Sequence, residues 1–211
     1  MMINLAIPRA LTGNPLRIQP ILSRFSGVMA SMDDDAYLRR MAALLQAISL
    51  ARVAKQDSVI CQIEDGLYLG SVGAAQDKEA LKKLNITHVL TVAKSLLPAY
   101  PNEFVYKRID VLDNSTTNLA QYFDECFEFI DEARRSGGGV LVHCFAGISR
   151  SATVVVAYLM KEYRMPLSQA LELVRSKRPQ ICPNFGFRKQ LEDFEKSLEV
   201  IQNPKAIESM N

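Results

Sequence analysis

The chain has 211 residues, 48% of them hydrophobic, with 25 Lys and Arg against 23 Asp and Glu, a formal net charge of +2. This composition can fill a full hydrophobic core, which excludes a fibrous or wholly disordered protein, and the near-neutral charge gives no reason to expect nucleic acid as a partner. No apolar run reaches the roughly 18 to 20 residues that a membrane-spanning helix needs.

Residues 1–32 carry Arg9, Arg17 and Arg24 but no acid and no lysine, and Pro8, Pro15 and Pro20 interrupt any long helix. Three readings stay open for them: a presequence for organellar import, a disordered tail, or an upstream extension of a chain that starts at Met29 or Met32. Residues 33–57 form the next segment. Asp33, Asp34 and Asp35 open a helix from Ala36 to about Lys55, with acids at its start and Arg52 and Lys55 at its end, as the helix dipole favours. Tyr37, Leu38, Met41, Leu44, Leu45 and Ile48 recur at i, i+3, i+4 and i+7, and no acid lies between Ala36 and Gln56. Such a basic amphipathic helix docks on its own domain, lies on a membrane surface, or offers its stripe over 36–55 to the Met-rich groove of calmodulin.

The compact domain is expected over residues 58–200, with a tail at 201–211. Val59 to Ile63 and Leu67 to Leu69 read as two strands around the turn Glu64-Asp65-Gly66. A helix follows over Ala74 to Leu84, then strands at His88 to Val92 and Phe104 to Val111. Asn118 to Arg135 is an amphipathic helix with Phe123, Cys126, Phe127 and Ile130 on one side. His88 and Cys126 read as core residues, since neither has a metal-ligating neighbour at the right spacing. Further helices are expected over Ser168 to Lys177 and from the end of the Pro179 to Phe187 loop to about Ile201. Strands that alternate with helices predict an α/β fold, a central mostly parallel sheet flanked by helices.

The informative stretch lies between two of these elements. Gly137-Gly138-Gly139 feeds a short strand, Val140 to Val142. A small-residue loop from Cys144 to Arg150 follows, and then a long apolar helix. Strand, loop and helix in that order aim backbone N–H groups at an anion, and the helix dipole adds to the attraction. The same donors favour a thiolate at Cys144, and the Arg150 fork can grip two oxygens of one phosphate. Four free-standing cysteines with neither disulfide-dense nor metal-type spacing fit a reducing compartment, where a thiolate survives.

His143-Cys144-x-x-Gly147-x-x-Arg150-Ser151 resembles the signature of cysteine-dependent protein tyrosine phosphatases. The longer run from Val142 to Thr153, with Ala157-Tyr158-Leu159-Met160, resembles the small dual-specificity branch. Ile63-x-x-x-Leu67-Tyr68-Leu69-Gly70 and Pro183-Asn184-x-Gly186-Phe187 resemble further elements of that branch, so the likeness covers about Ser58 to Leu198. Rhodanese-like and arsenate-reductase-like loops share only Cys-x5-Arg, and the lysines that lipid phosphatases carry inside the loop are missing here.

The resemblance implies a protein phosphatase that acts on phosphotyrosine and phosphoserine or phosphothreonine through a phosphocysteine, without metal or other cofactor. It implies Cys144 as nucleophile and the N–H groups of Phe145, Ala146, Gly147, Ile148, Ser149 and Arg150, with the Arg150 side chain, as the phosphate cradle. Ser151 would assist the departing thiolate, and His143 and Asn184 would order the loop. Asp113 is the expected proton donor, five residues before Asn118-Leu119, with Asp110 the alternative. Small members of the family often act on mitogen-activated protein kinases, which makes those an expected partner. A phosphopeptide-binding pseudophosphatase without turnover is the alternative function. Cytoplasm or nucleus is the expected location unless residues 1–32 direct import.

Overall fold

The computed structural model describes residues 34–202. The chain forms two compact units, Met1–Ile48 and Ser49–Asn211. The first helix, α1 (Asp34–Gln56), crosses the boundary in sequence. At about 100° per residue, Tyr37, Met41, Leu44, Leu45 and Ile48 share one face, and all five are exposed. After Ser49, Ala54 falls on the opposite face and is buried. Arg52 comes round to the azimuth of the first stripe and is exposed. The expected single helix is present, but its stripe from Tyr37 to Ile48 does not share a face with buried Ala54.

The rest is built on a five-stranded sheet in the order β1-β2-β5-β3-β4. β1 (Cys61–Glu64) and β2 (Leu67–Gly70) form the expected hairpin, closed by Gly66 at φ +71°. β2, β5 (Gly139–His143), β3 (Ile86–Val92) and β4 (Val105–Ile109) run parallel. β2 and β5 are buried along their whole length and β3 nearly so, which explains their near-continuous apolar runs.

Both faces are covered. Leu67, Leu69, Leu90, Val92, Val140 and Val142 pack beneath α4 (Phe123–Arg135), α5 (Arg150–Glu162), α6 (Leu167–Lys177) and α7 (Phe185–Gln202). The alternate residues Tyr68, Val89 and Leu141 pack with Ala75 of α2 (Val72–Ala75) and Leu81 of α3 (Lys78–Lys83). α5 is buried without interruption from Ser151 to Met160, as a helix apolar all round must be.

Two expected helices differ in detail. The one expected over Ala74 to Leu84 is α2 and α3, because Asp77 accepts the Ala80 N–H at 3.0 Å and starts a new helix. The one expected from Asn118 opens as a 3₁₀ turn, Ala120–Tyr122, before α4. His88 is buried edge-on against Phe129, 5.2 Å between ring centroids. Cys126 is buried, and desolvation pushes its thiol up to about 12. No helix among the described residues is long and apolar enough to cross a membrane.

Candidate active site

The parallel strands end together at Gly70, Val92, Ile109 and His143, so the loops after them converge at one end of the sheet, where open α/β folds bind ligands. The Cys144 to Arg150 loop joins β5 to α5 there. A peptide unit holds its C=O and the next residue's N–H in opposite directions, so whatever grips a carbonyl outside the loop aims an N–H inward. Every carbonyl from Cys144 to Ser149 is gripped. His143 Nδ1 donates to Cys144 O at 3.2 Å, and Val72 N to Phe145 O at 3.1 Å. Arg178 donates to Ala146 O at 3.0 Å and to Gly147 O at 2.8 Å. Cys182 N donates to Ile148 O at 2.9 Å, and Thr153 N and Oγ1 to Ser149 O at 2.9 and 2.8 Å.

The N–H groups of Phe145, Ala146, Ile148, Ser149 and Arg150 have no acceptor among the described residues, and that of Gly147 donates to Cys144 Sγ at 3.3 Å. This set of donors is a cradle for a tetrahedral anion at the N-terminus of α5. Gly147 has φ +66°, and a Cβ there would collide with Gly70 O. Only glycine closes the loop at this point.

The Cys144 sulfur also accepts from Ser151 Oγ at 3.2 Å. Arg150 donates to Val111 O at 3.2 Å, while its buried Nε lacks a hydrogen-bond partner and lies 3.3 Å from Asp113 Oδ2 as an ion pair. An N–H left over in such a place suits one more anionic oxygen. Asp113 sits on the loop after β4, its Oδ1 accepting from Ser149 Oγ at 2.8 Å and Asn184 Nδ2 at 2.9 Å. Asn184 also caps α7, its Oδ1 accepting the Phe187 N–H at 3.0 Å. Asp110 is turned to Arg108, 2.8 Å away on β4, and makes no contact with the loop.

His143 is buried, and desolvation holds its pKa down at about 4. With Nδ1 donating to Cys144 O, Nε2 accepts from Thr91 Oγ1 at 2.8 Å, so the neutral ring is fully satisfied. Between pH 6.5 and about 4 the unfolded chain takes up a proton here that the native state refuses, so stability falls as pH falls through that window. The loss should reach about 2 kcal/mol by pH 5. Urea unfolding at pH 7 and pH 5 checks this, and a His143→Gln protein should show a smaller difference between the two.

The loop and its attendants Asp113, Ser151 and Asn184, all read from the sequence, are thus brought together. Sequence reasoning missed Thr91, Thr153, Arg178 and Gln190. Gln190 on α7 accepts the Leu119 and Ala120 N–H groups at 2.8 and 2.9 Å and so holds the segment behind Asp113. Arg178 carried one signal, a basic residue directly before Pro179 in a loop, but nothing local announces its burial. A larger surface cleft, about 780 Å³, is lined by Asp65, Asn85, Glu128 and Arg134 near the strand N-termini. It contains none of the loop residues.

Residues 67–197 match the family model of the dual specificity phosphatase catalytic domain. The chain belongs to the dual-specificity phosphatase family. The dual specificity protein phosphatases 1 and 1B of Arabidopsis thaliana are 58% identical over 161 residues and 60% identical over 140. These alignments cover 76% and 66% of this chain and 81% and 84% of the relatives. Among solved structures, the human tyrosine phosphatase-like serine/threonine/tyrosine-interacting protein superposes with a TM-score of 0.64 at 36% identity. It covers 66% of this chain and 97% of its own. Membership in the dual-specificity family makes this chain a protein phosphatase of the cysteine-dependent superfamily.

Proposed function

We propose that this dual-specificity phosphatase hydrolyses phosphotyrosine and phosphoserine or phosphothreonine on protein substrates through a phosphocysteine at Cys144. The observation that carries the reading is the inward-turned ring of N–H groups around one sulfur. The Cys144 thiolate attacks phosphorus as the P–O bond to the substrate breaks, and the Asp113 carboxyl gives its proton to the leaving oxygen. Water then attacks the phosphocysteine, Asp113 takes a proton from it, and the sulfur leaves as a thiolate that Ser151 Oγ and the Gly147 N–H stabilise. Arg150 and the loop N–H groups hold the three phosphoryl oxygens throughout. Residues 58–200 carry this chemistry.

The purified chain should turn over both phosphotyrosine and phosphothreonine peptides, at rates unchanged by chelator and blocked by vanadate. Turnover of phosphotyrosine alone would refute dual specificity. Tight phosphopeptide binding without hydrolysis of any aryl phosphate would make the chain a pseudophosphatase. The family likeness extends the proposal to mitogen-activated protein kinases as substrates. The free thiols of Cys61, Cys126, Cys144 and Cys182 support a reducing location, cytoplasm or nucleus. Residues 1–32, which bear on import, lie outside the described residues.

The exposed stripe on α1 supports a second element of the proposal, that 36–55 binds calcium-loaded calmodulin. In a calorimeter a peptide covering Ala36 to Lys55 should bind tighter than about 10 μM, about 7 kcal/mol. Weaker binding by both the peptide and the whole chain would end this idea. Binding by the peptide alone would mean that the chain covers its own stripe.

A further inference from the structure

Among the described residues, Arg178 is the largest side chain buried to within 2% of full enclosure, and burying a guanidinium is costly unless its donors are used. Every one of its nitrogens has a partner. Nε and one terminal nitrogen hold the Gly147 and Ala146 carbonyls, the other terminal nitrogen faces Cys61 Sγ at 3.7 Å, and Asp57 Oδ2 balances the charge at 2.6 Å. Asp57 reaches the loop by another route as well. Its carbonyl accepts from Ser71 Oγ, and Ser71 caps α2, whose first N–H, that of Val72, holds the Phe145 carbonyl. Three consecutive loop carbonyls, Phe145 to Gly147, thus trace back to one aspartate. Their peptide units carry the N–H groups of Ala146, Gly147 and Ile148, which are half of the cradle.

We propose that Arg178, held by Asp57, is a positioning residue for oxyanion binding, one that keeps the middle of the loop turned so that its N–H groups face the phosphoryl oxygens. The proposal rests on the reading of Cys144 to Arg150 as the phosphate loop, and it adds a pair outside the signature on which that loop depends. Neither residue touches the substrate in this scheme. Asp57 is the first residue after α1, so the pair also lies at the point where the proposed partner-binding segment joins the domain.

The test uses the full chain with Asp57→Asn and, separately, Arg178→Lys. Asp57→Asn keeps the size and the backbone contacts of Asp57, whose side chain is part-exposed, and removes the charge that orients the guanidinium. Arg178→Lys keeps the charge and loses the fork that spans two carbonyls. Each protein is assayed on an aryl phosphate for kcat and KM, for inhibition by vanadate, and for the fraction of Cys144 that reacts rapidly with iodoacetate. Thermal unfolding is followed alongside. The expected result is an increase of about 10-fold in both KM and the vanadate inhibition constant, with a smaller fraction of rapidly reacting thiol, because the Gly147 N–H that Arg178 helps to aim also donates to the Cys144 sulfur. A lowered unfolding temperature with unchanged vanadate inhibition would overturn the proposal, because the pair would then be structural only. If Arg178→Lys fails to fold, Asp57→Asn alone decides. Wild-type activity in Cys144→Ser would instead remove the phosphate-loop reading beneath it, a separate outcome.

Discussion

Cys144→Ser is expected to lower turnover by ~10⁴-fold or more while the protein folds and still binds phosphopeptide. The two donors to the sulfur, the Gly147 N–H at 3.3 Å and Ser151 Oγ at 3.2 Å, can stabilise a thiolate. A serine hydroxyl in the same place stays protonated, and no group in the loop can take its proton. His143 cannot stand in as a base, because Nδ1 is committed to Cys144 O and Nε2 to Thr91 Oγ1. The cradle itself is backbone and Arg150, which the substitution leaves intact, so binding should survive. Steady-state hydrolysis beside phosphopeptide titration measures both. Undiminished turnover would dismiss the phosphocysteine route.

Asp113→Ala is expected to lower kcat by ~10²-fold on peptide substrates, with KM little changed or smaller. The loss should shrink for aryl phosphates whose leaving groups need no proton, and this graded response distinguishes a proton donor from a structural carboxylate. KM should not rise, because the Asp113 carboxylate sits 3.3 Å from Arg150 Nε and competes with the anion for it. Asp110→Ala serves as the control. Asp110 is paired with Arg108 on the exposed edge strand, and its loss should leave kcat within about twofold. Equal losses in the two variants, or a loss independent of the leaving group, would remove Asp113 from the scheme.

The sheet and most helices could be read in advance because their signals are local. Period-two and unbroken apolar runs marked the strands, and the stripe of Phe123, Phe127 and Ile130 marked α4. The loop was legible for the same reason, with nucleophile, glycine and arginine inside seven residues. The break at Asp77 was missed because a single capping carboxylate interrupts an otherwise helical pattern. The phase change in α1 was missed because a stripe over about three turns outweighed the position of Arg52 on the same face. Arg178 and Asp57 were invisible for a deeper reason. They are 121 residues apart in sequence, and a lone charge in each loop reads as solvated until the fold buries the pair.

The loop's six carbonyls are gripped from the start of α2, the end of β5, the first turn of α5, the end of α6 and the segment before α7. No single piece of secondary structure can shape the loop by itself, and no peptide cut from the chain would hold its form. The cradle is in this sense the last product of folding, complete only once contacts between distant parts of the chain have closed. A partly opened domain that keeps a native-like sheet but frees these grips would bind an anion less well, since a released carbonyl is no longer held away from it. Anion binding by the loop is therefore tied to tertiary contacts from five separate parts of the domain and not to any one local element.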